Sequence, residues 1–252
     1  MSQGGEILLQ ATGVAKTFGG LKAVDDVTFT LRAGIITTLV GPNGAGKTTL
    51  FNLMTGHLVP DRGEVNWLGR SLLGLPHWQI ARLGIGRTFQ DLKLFNNMTV
   101  AENVATVTER NSWLWQSGGA GAKGERRARA ESALAATGLA GKRNARAIDL
   151  AYADRKFLSL ARILASGARL WLLDEPASGL DRGSYERFLS LLRDQVRLGV
   201  TICIIEHNLD IVQGISDRIA FLDQGRLLAE GDPKTILSDP ALAAIYFGER
   251  AS

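Results

Sequence analysis

The sequence is poor in the features that mark secreted, membrane-spanning or disulfide-stapled proteins. It holds one cysteine in 252 residues. A lone thiol cannot bridge the chain to itself, so no disulfide framework supports the fold. Cys203 lies in V-T-I-C-I-I, an apolar setting that predicts an inert core thiol and a reducing, cytosolic home. No apolar run approaches the roughly 20 residues that cross a bilayer. The opening M-S-Q-G-G-E has neither the basic nor the apolar region of a signal peptide. Charge of one sign is also scarce: 29 basic residues meet 25 acidic ones, for a net charge of +4. That balance is too weak to argue for a nucleic-acid partner, and none is expected. What remains is 45% hydrophobic and 21% charged, with length for one α/β core plus a subdomain.

Glycine is plentiful, at 29 residues, and its densest functional spacing falls on residues 41–48. Gly41, Pro42, Asn43, Gly44, Ala45, Gly46, Lys47 and Thr48 match G-x-x-x-x-G-K-[ST] in full. Such glycines let backbone N–H groups turn inward around nucleotide phosphates. Lys47 then reaches the β- and γ-phosphates, and Thr48 offers a hydroxyl to Mg²⁺. Thr49 follows in the same nucleotide-binding stretch. Residues 35–40 (I-I-T-T-L-V) predict a buried strand feeding the loop, and residues 49–56 a helix closing on glycine. A helix N-terminus aimed at phosphate is itself an anion site.

The rest of the pattern predicts an α/β fold: a P-loop NTPase core with a mostly parallel sheet, an N-terminal antiparallel β layer and an inserted helical subdomain. Short apolar segments at 7–9, 23–24 and 27–31 belong to the antiparallel layer. Near-continuous apolar runs at 35–40, 170–173 and 201–206 read as parallel strands covered on both faces. Segments 219–222 and 226–229 read as a closing hairpin, and 184–198 as a helix. From about 92 to 165 the chain is helix-like and more charged. Residues 118–124 read as a flexible connector there and 123–136 as a strong helix former. The division is one domain over 1–252, with 1–91 and 166–252 as its core and 92–165 as the helical subdomain.

Residues 170–175 read L-W-L-L-D-E, an apolar strand ending in paired carboxylates. Asp174 at the tip is a candidate to hold Mg²⁺ through its water shell. Glu175 is a candidate to orient or deprotonate an attacking water.

In this order the motifs resemble those of the nucleotide-binding subunits of ABC transporters, over nearly the whole chain. The resemblance implies that Gln90, in R-T-F-Q, senses metal and water. It implies that residues 178–181 (S-G-L-D) form a loop along a dimer seam and that His207 contacts the γ-phosphate. Phe18, in T-F-G-G, matches the aromatic that stacks on adenine. His57 and His77 fit no motif and read as structural or surface residues. A nearer likeness is to the Liv-type subunits of importers for branched-chain amino acids and related amides or urea. It is carried by residues 41–56, 74–90, 94–104 and 245–249. It implies an ATPase using ATP and Mg²⁺, peripheral on the cytoplasmic face of the inner or plasma membrane. The implied partners are a second, different ATPase subunit, two membrane permease subunits and, indirectly, a substrate-binding protein. Two other readings stay open: a non-import cassette, of lipopolysaccharide-export or regulatory type, and a subunit that barely hydrolyses.

One segment departs from the family pattern. The signature, normally L-S-G-G-Q, reads L-A-Y-A-D at residues 150–154. In the family this segment starts a helix and caps the γ-phosphate held by the opposite subunit. Ala151 lacks the hydroxyl, Ala153 replaces a glycine, and Asp154 brings negative charge towards phosphate. Arg155 and Lys156 are the expected compensating cations. The aromatic stretch 111–116 (N-S-W-L-W-Q) reads either as a local buried cluster or as part of a groove for a helix of the membrane subunit.

Overall fold

A computed structural model describes residues 5–108 and 120–248. In chain order the elements are β1 (Ile7–Phe18), β2 (Leu21–Arg32), β3 (Ile36–Val40), α1 (Lys47–Met54), β4 (Arg62–Trp67), β5 (Arg70–Ser71), α2 (His77–Arg82) and β6 (Ile85–Arg87). Then come α3 (Val100–Thr108), α4 (Ala120–Ala136), α5 (Tyr152–Ser166), β7 (Leu170–Asp174), α6 (Arg182–Arg197) and β8 (Thr201–Ile205). The chain ends with α7 (Leu209–Ile215), β9 (Arg218–Asp223), β10 (Arg226–Gly231), α8 (Pro233–Leu237) and α9 (Pro240–Gly248).

These elements form two compact units. The first runs through Arg87, takes in Arg169–Pro176, and resumes at Arg193. It contains both sheets. The six-stranded sheet has the order β10-β9-β3-β8-β7-β6. All its pairings are parallel except that of the closing hairpin, β9 with β10. Strands β3, β7 and β8 are buried at every residue, as their unbroken apolar runs require. The second sheet is antiparallel, in the order β2-β1-β4-β5. Its first two strands are longer than the apolar fragments predicted: 12 residues each, turning at Gly19 and Gly20, both at positive φ. The two sheets share one apolar core, in which Leu50, Phe51 and Met54 of α1 meet Val14, Phe29, Leu172 and Ile205. A smaller cluster joins Val40, Val212, Phe221 and Ile236.

The second unit holds the described residues of Thr88–Ala168 and Ala177–Leu192. Helices α3, α4 and α5 pack on one another. Phe157 and Phe188 are buried there, and the Arg187 guanidinium lies 4.5 Å from the Phe157 ring centroid. One local expectation is corrected: helix α4 begins at Ala120 and runs through Gly124, where a flexible connector was predicted. Its alanines and long charged side chains have enough helix propensity to absorb two glycines. The aromatic stretch 111–116 lies outside the described residues.

Candidate functional site

Three neighbouring parallel strands set the site. Across β3, β8 and β7 the register pairs Leu39 with Ile205 and Ile205 with Asp174. The carboxyl ends of these strands therefore stand level. From this edge the chain runs into the 41–48 loop after Val40, into Glu175 after Asp174, and into Glu206 and His207 after Ile205. Ligands of open parallel sheets bind at such an edge.

The loop's glycines are there for space as much as for flexibility. A Cβ on Gly41 would stand 1.9 Å from the Leu222 carbonyl oxygen, and one on Gly46 2.1 Å from that of Ala23. Both have positive φ, 146° and 99°. The Gly225 amide donates to the Ala45 carbonyl at 3.0 Å, tying the loop to the β9–β10 turn. Pro42, Asn43 and Gly44 form its outer rim, with Asn43 and Gly44 exposed. Helix α1 then starts with no side-chain cap and no acidic residue in its first turn. Its leading amides and Lys47 form a cationic cradle. The Lys47 ammonium donates to the Gly41 and Pro42 carbonyls, both at 2.7 Å, which holds it inside the loop.

Beside the cradle the Thr48 hydroxyl donates to Asp174 Oδ2 at 3.2 Å. Asp174 is buried, and burial pushes its carboxyl above the usual range, while Arg87 and the Thr48 hydroxyl pull it back. A hydroxyl and a carboxylate side by side are hard oxygen donors that suit Mg²⁺, which takes few protein ligands and completes its shell with water and phosphate oxygens. Among the described residues no group of three or more His, Cys, Asp or Glu forms an all-protein metal cage, in keeping with that habit.

Glu175 sits at φ 46°, a left-handed backbone that costs a non-glycine residue energy. Its amide donates to the Ile205 carbonyl at 3.1 Å, which fixes the turn. This turn sets the Glu175 carboxylate 3.8 Å from His207 Nδ1. Phe18, at the end of β1, is exposed, with the Lys16 ammonium 5.7 Å from its ring, so it is not a core residue. Thr49 lies partly buried in the first turn of α1. Gln90 is exposed in a bend beyond β6 and belongs to the second unit. His57 and His77 stack at 4.8 Å, and His57 Nδ1 lies 2.9 Å from the Thr55 hydroxyl.

In the second unit, Leu150 precedes α5 and Ala151 occupies its N-cap with no side-chain cap bond. The expected compensation of Asp154 is corrected. Its carboxylate pairs with Lys142, whereas Arg155 donates to Asn96 at 3.0 Å and Lys156 lies 5.3 Å from the Tyr152 ring. Arg155 and Lys156, one and two positions on, point around the helix and away from Asp154, while Lys142 arrives from a separate turn.

A glycine-bounded phosphate cradle beside a hydroxyl–carboxylate pair is the geometry of a nucleoside-triphosphate site, and the comparisons agree. Residues 24–178 match the description of the ABC transporter family. The chain belongs to that family. It is 41% identical over 251 residues to the high-affinity branched-chain amino acid transport ATP-binding protein LivG of Salmonella typhimurium (strain LT2), across 96% of this chain and 98% of the relative. It is 36% identical over 251 residues to BraF, the equivalent protein named for Pseudomonas aeruginosa, with the same coverage. The solved ADP conformation of MJ1267, an ATP-binding cassette of an ABC transporter, superposes with a TM-score of 0.84 at 29% identity, over 96% of this chain and 99% of that one. The chain is thus an ATP-binding cassette with the P-loop NTPase fold, a nucleotide-binding ATPase of the transporter family. Among the described residues no helix is long and apolar enough to cross a membrane.

Sequence reasoning missed the support behind Asp174. The Arg87 guanidinium, quoted only as part of R-T-F-Q, stands 3.6 Å from Asp174 Oδ2 with both side chains buried. Its other terminal nitrogen donates to Asn52 and to the Thr55 hydroxyl, near the C-terminal end of α1. Nothing in sequence spacing signals a contact between residues so far apart in the chain.

Proposed function

We propose that this chain hydrolyses ATP to energise an importer of amino acids or related small polar molecules. The 3.2 Å approach of the Thr48 hydroxyl to Asp174, beside the Lys47 cradle, carries the chemical part of this reading. The 41% identity to LivG supports the substrate class. The triphosphate lies against the backbone N–H groups of residues 43–49 and the Lys47 ammonium, with Phe18 stacked on the adenine. Thr48, Asp174 and Gln90 would hold Mg²⁺, which would supply positive charge against the triphosphate. Glu175 accepts a proton from water as the water oxygen bonds to the γ-phosphorus. The bond from that phosphorus to the bridging oxygen breaks, and ADP and phosphate leave. His207 steadies the γ-phosphate from its place beside Glu175.

The cassette works from the cytoplasmic face of the inner or plasma membrane, as a peripheral subunit bound to two membrane permease subunits. A substrate-binding protein delivers the cargo to those. The second ATPase subunit is a different chain, and the two nucleotide sites are unequal. This chain's Lys47, Asp174, Glu175 and His207 turn over against the partner's signature, while L-A-Y-A-D faces the partner's nucleotide and slows it.

The test is reconstitution with the permease subunits and binding protein in liposomes. ATP turnover should rise when a branched-chain amino acid loads the binding protein. Turnover indifferent to that ligand, with no uptake, contradicts the importer reading. In separate complexes, Glu175→Gln here should cost far more turnover than the same change in the partner. Equal losses contradict the inequality of the sites.

A further inference from the structure

Strand β6 reads I-G-R and lies parallel to β7, with Arg87 opposite Leu172. Residues paired across a parallel ladder share a face, and so do residues two apart along a strand. Arg87, Leu172 and Asp174 therefore project together towards α1. The contacts agree: the guanidinium stands 3.6 Å from Asp174 Oδ2, donates to Asn52 Oδ1 at 2.7 Å and to Thr55 Oγ1 at 3.1 Å, and lies 5.7 Å from the Phe51 ring centroid. The side chains of Arg87 and Asp174 are 5% and 2% exposed, so water does little to screen the pair. Asp174 Oδ2 is also the atom that accepts from Thr48. One carboxylate oxygen is thus held both by Thr48, from the start of α1, and by Arg87, from β6.

We infer that Arg87 is a positioning residue: anchored on α1, it holds the Asp174 carboxylate beside Thr48 and balances its charge, and so sets how strongly magnesium tightens nucleotide binding. The inference rests on the reading that Thr48 and Asp174 ligate the metal. A planar fork suits this task, because it spends one edge on the carboxylate and another on Asn52 and Thr55. A residue that only glued β6 to α1 would need no carboxylate partner.

The test measures binding of the non-hydrolysable analogue AMP-PNP to the full chain by calorimetry, in excess Mg²⁺ and in EDTA. The ratio of the two affinities is the magnesium-dependent tightening. In Arg87→Met this ratio should fall about tenfold from the wild-type value, with the EDTA affinity within about twofold of wild type. Arg87→Lys should recover part of the ratio, because it keeps the charge and loses the fork. A wild-type ratio in Arg87→Met overturns the inference, as does an equal fall in both affinities, the mark of a purely structural role. Should Arg87→Met fail to fold, Asn52→Ala removes the 2.7 Å anchor and leaves the charge. A ratio lowered about threefold then supports the inference, and an unchanged one overturns it. Absence of tightening in the wild type removes the metal assignment itself, and the inference with it.

Discussion

Two helices of this chain begin at motifs to which the proposed function gives phosphate as a target, and they begin differently. Helix α1 follows Gly46, whose left-handed backbone and closeness to Ala23 exclude any side chain. No residue of its first turn is acidic. Helix α5 follows Ala151, an extended residue at φ −59°, ψ 154° with room for a side chain, and it carries Asp154 in its first turn. Neither start has a side-chain cap. At α1 this leaves amides and a cation for a ligand's phosphates, whereas at α5 the chain supplies its own anion and cancels it with Lys142. A dipole end reaches outward only where the chain leaves it unneutralised.

Grafting the same capping residue onto both starts tests the contrast most severely. Gly46→Ser should destabilise the chain by about 3 kcal/mol and abolish nucleotide binding, since its Cβ meets backbone at a forbidden distance. A soluble, nucleotide-binding Gly46→Ser protein breaks the account of the cradle. Lys47→Ala should leave the melting temperature nearly unchanged and weaken ATP binding about a hundredfold by calorimetry, because charge-assisted bonds to phosphate are lost. Lys142→Met leaves Asp154 uncompensated. In an assembled transporter that also carries Glu175→Gln, so that only the partner's nucleotide turns over, it should cut the residual turnover about threefold, and adding Asp154→Gln should restore it. The effect is modest because the pair is partly solvated, with Lys142 half exposed. The smallest effect is the mirror of the first: Ala151→Ser should stabilise the chain by about 0.5–1 kcal/mol, read as a rise of about 1–2 °C in melting temperature.

The parts of the site that were legible in sequence obey local rules. A buried strand, a glycine-spaced loop and a helix start follow one another in the chain, so residues 41–48 announce themselves. So do Asp174 and Glu175, at the end of an apolar run. Strands β4 and β6 did not stand out. Arg62–Trp67 is half polar, and Ile85–Arg87 is three residues with a central glycine; each is a strand because a neighbour pairs with it. The short helices α2, α7, α8 and α9 escaped for a similar reason, having too few turns to display a period. Tertiary partners were the least legible. The pairing of Asp154 with Lys142, twelve residues away, and of Asp174 with Arg87 depends on where separate elements come to rest.

The central claim is that the 41–48 loop, with Thr48 and Asp174 beside it, holds Mg-ATP. Calorimetric titration of the Glu175→Gln chain, in which turnover is suppressed, measures this directly. A saturable 1:1 isotherm well below about 1 mM, lost in Lys47→Ala, is the predicted result. No heat of binding at millimolar Mg-ATP, or binding that Lys47→Ala leaves intact, contradicts it.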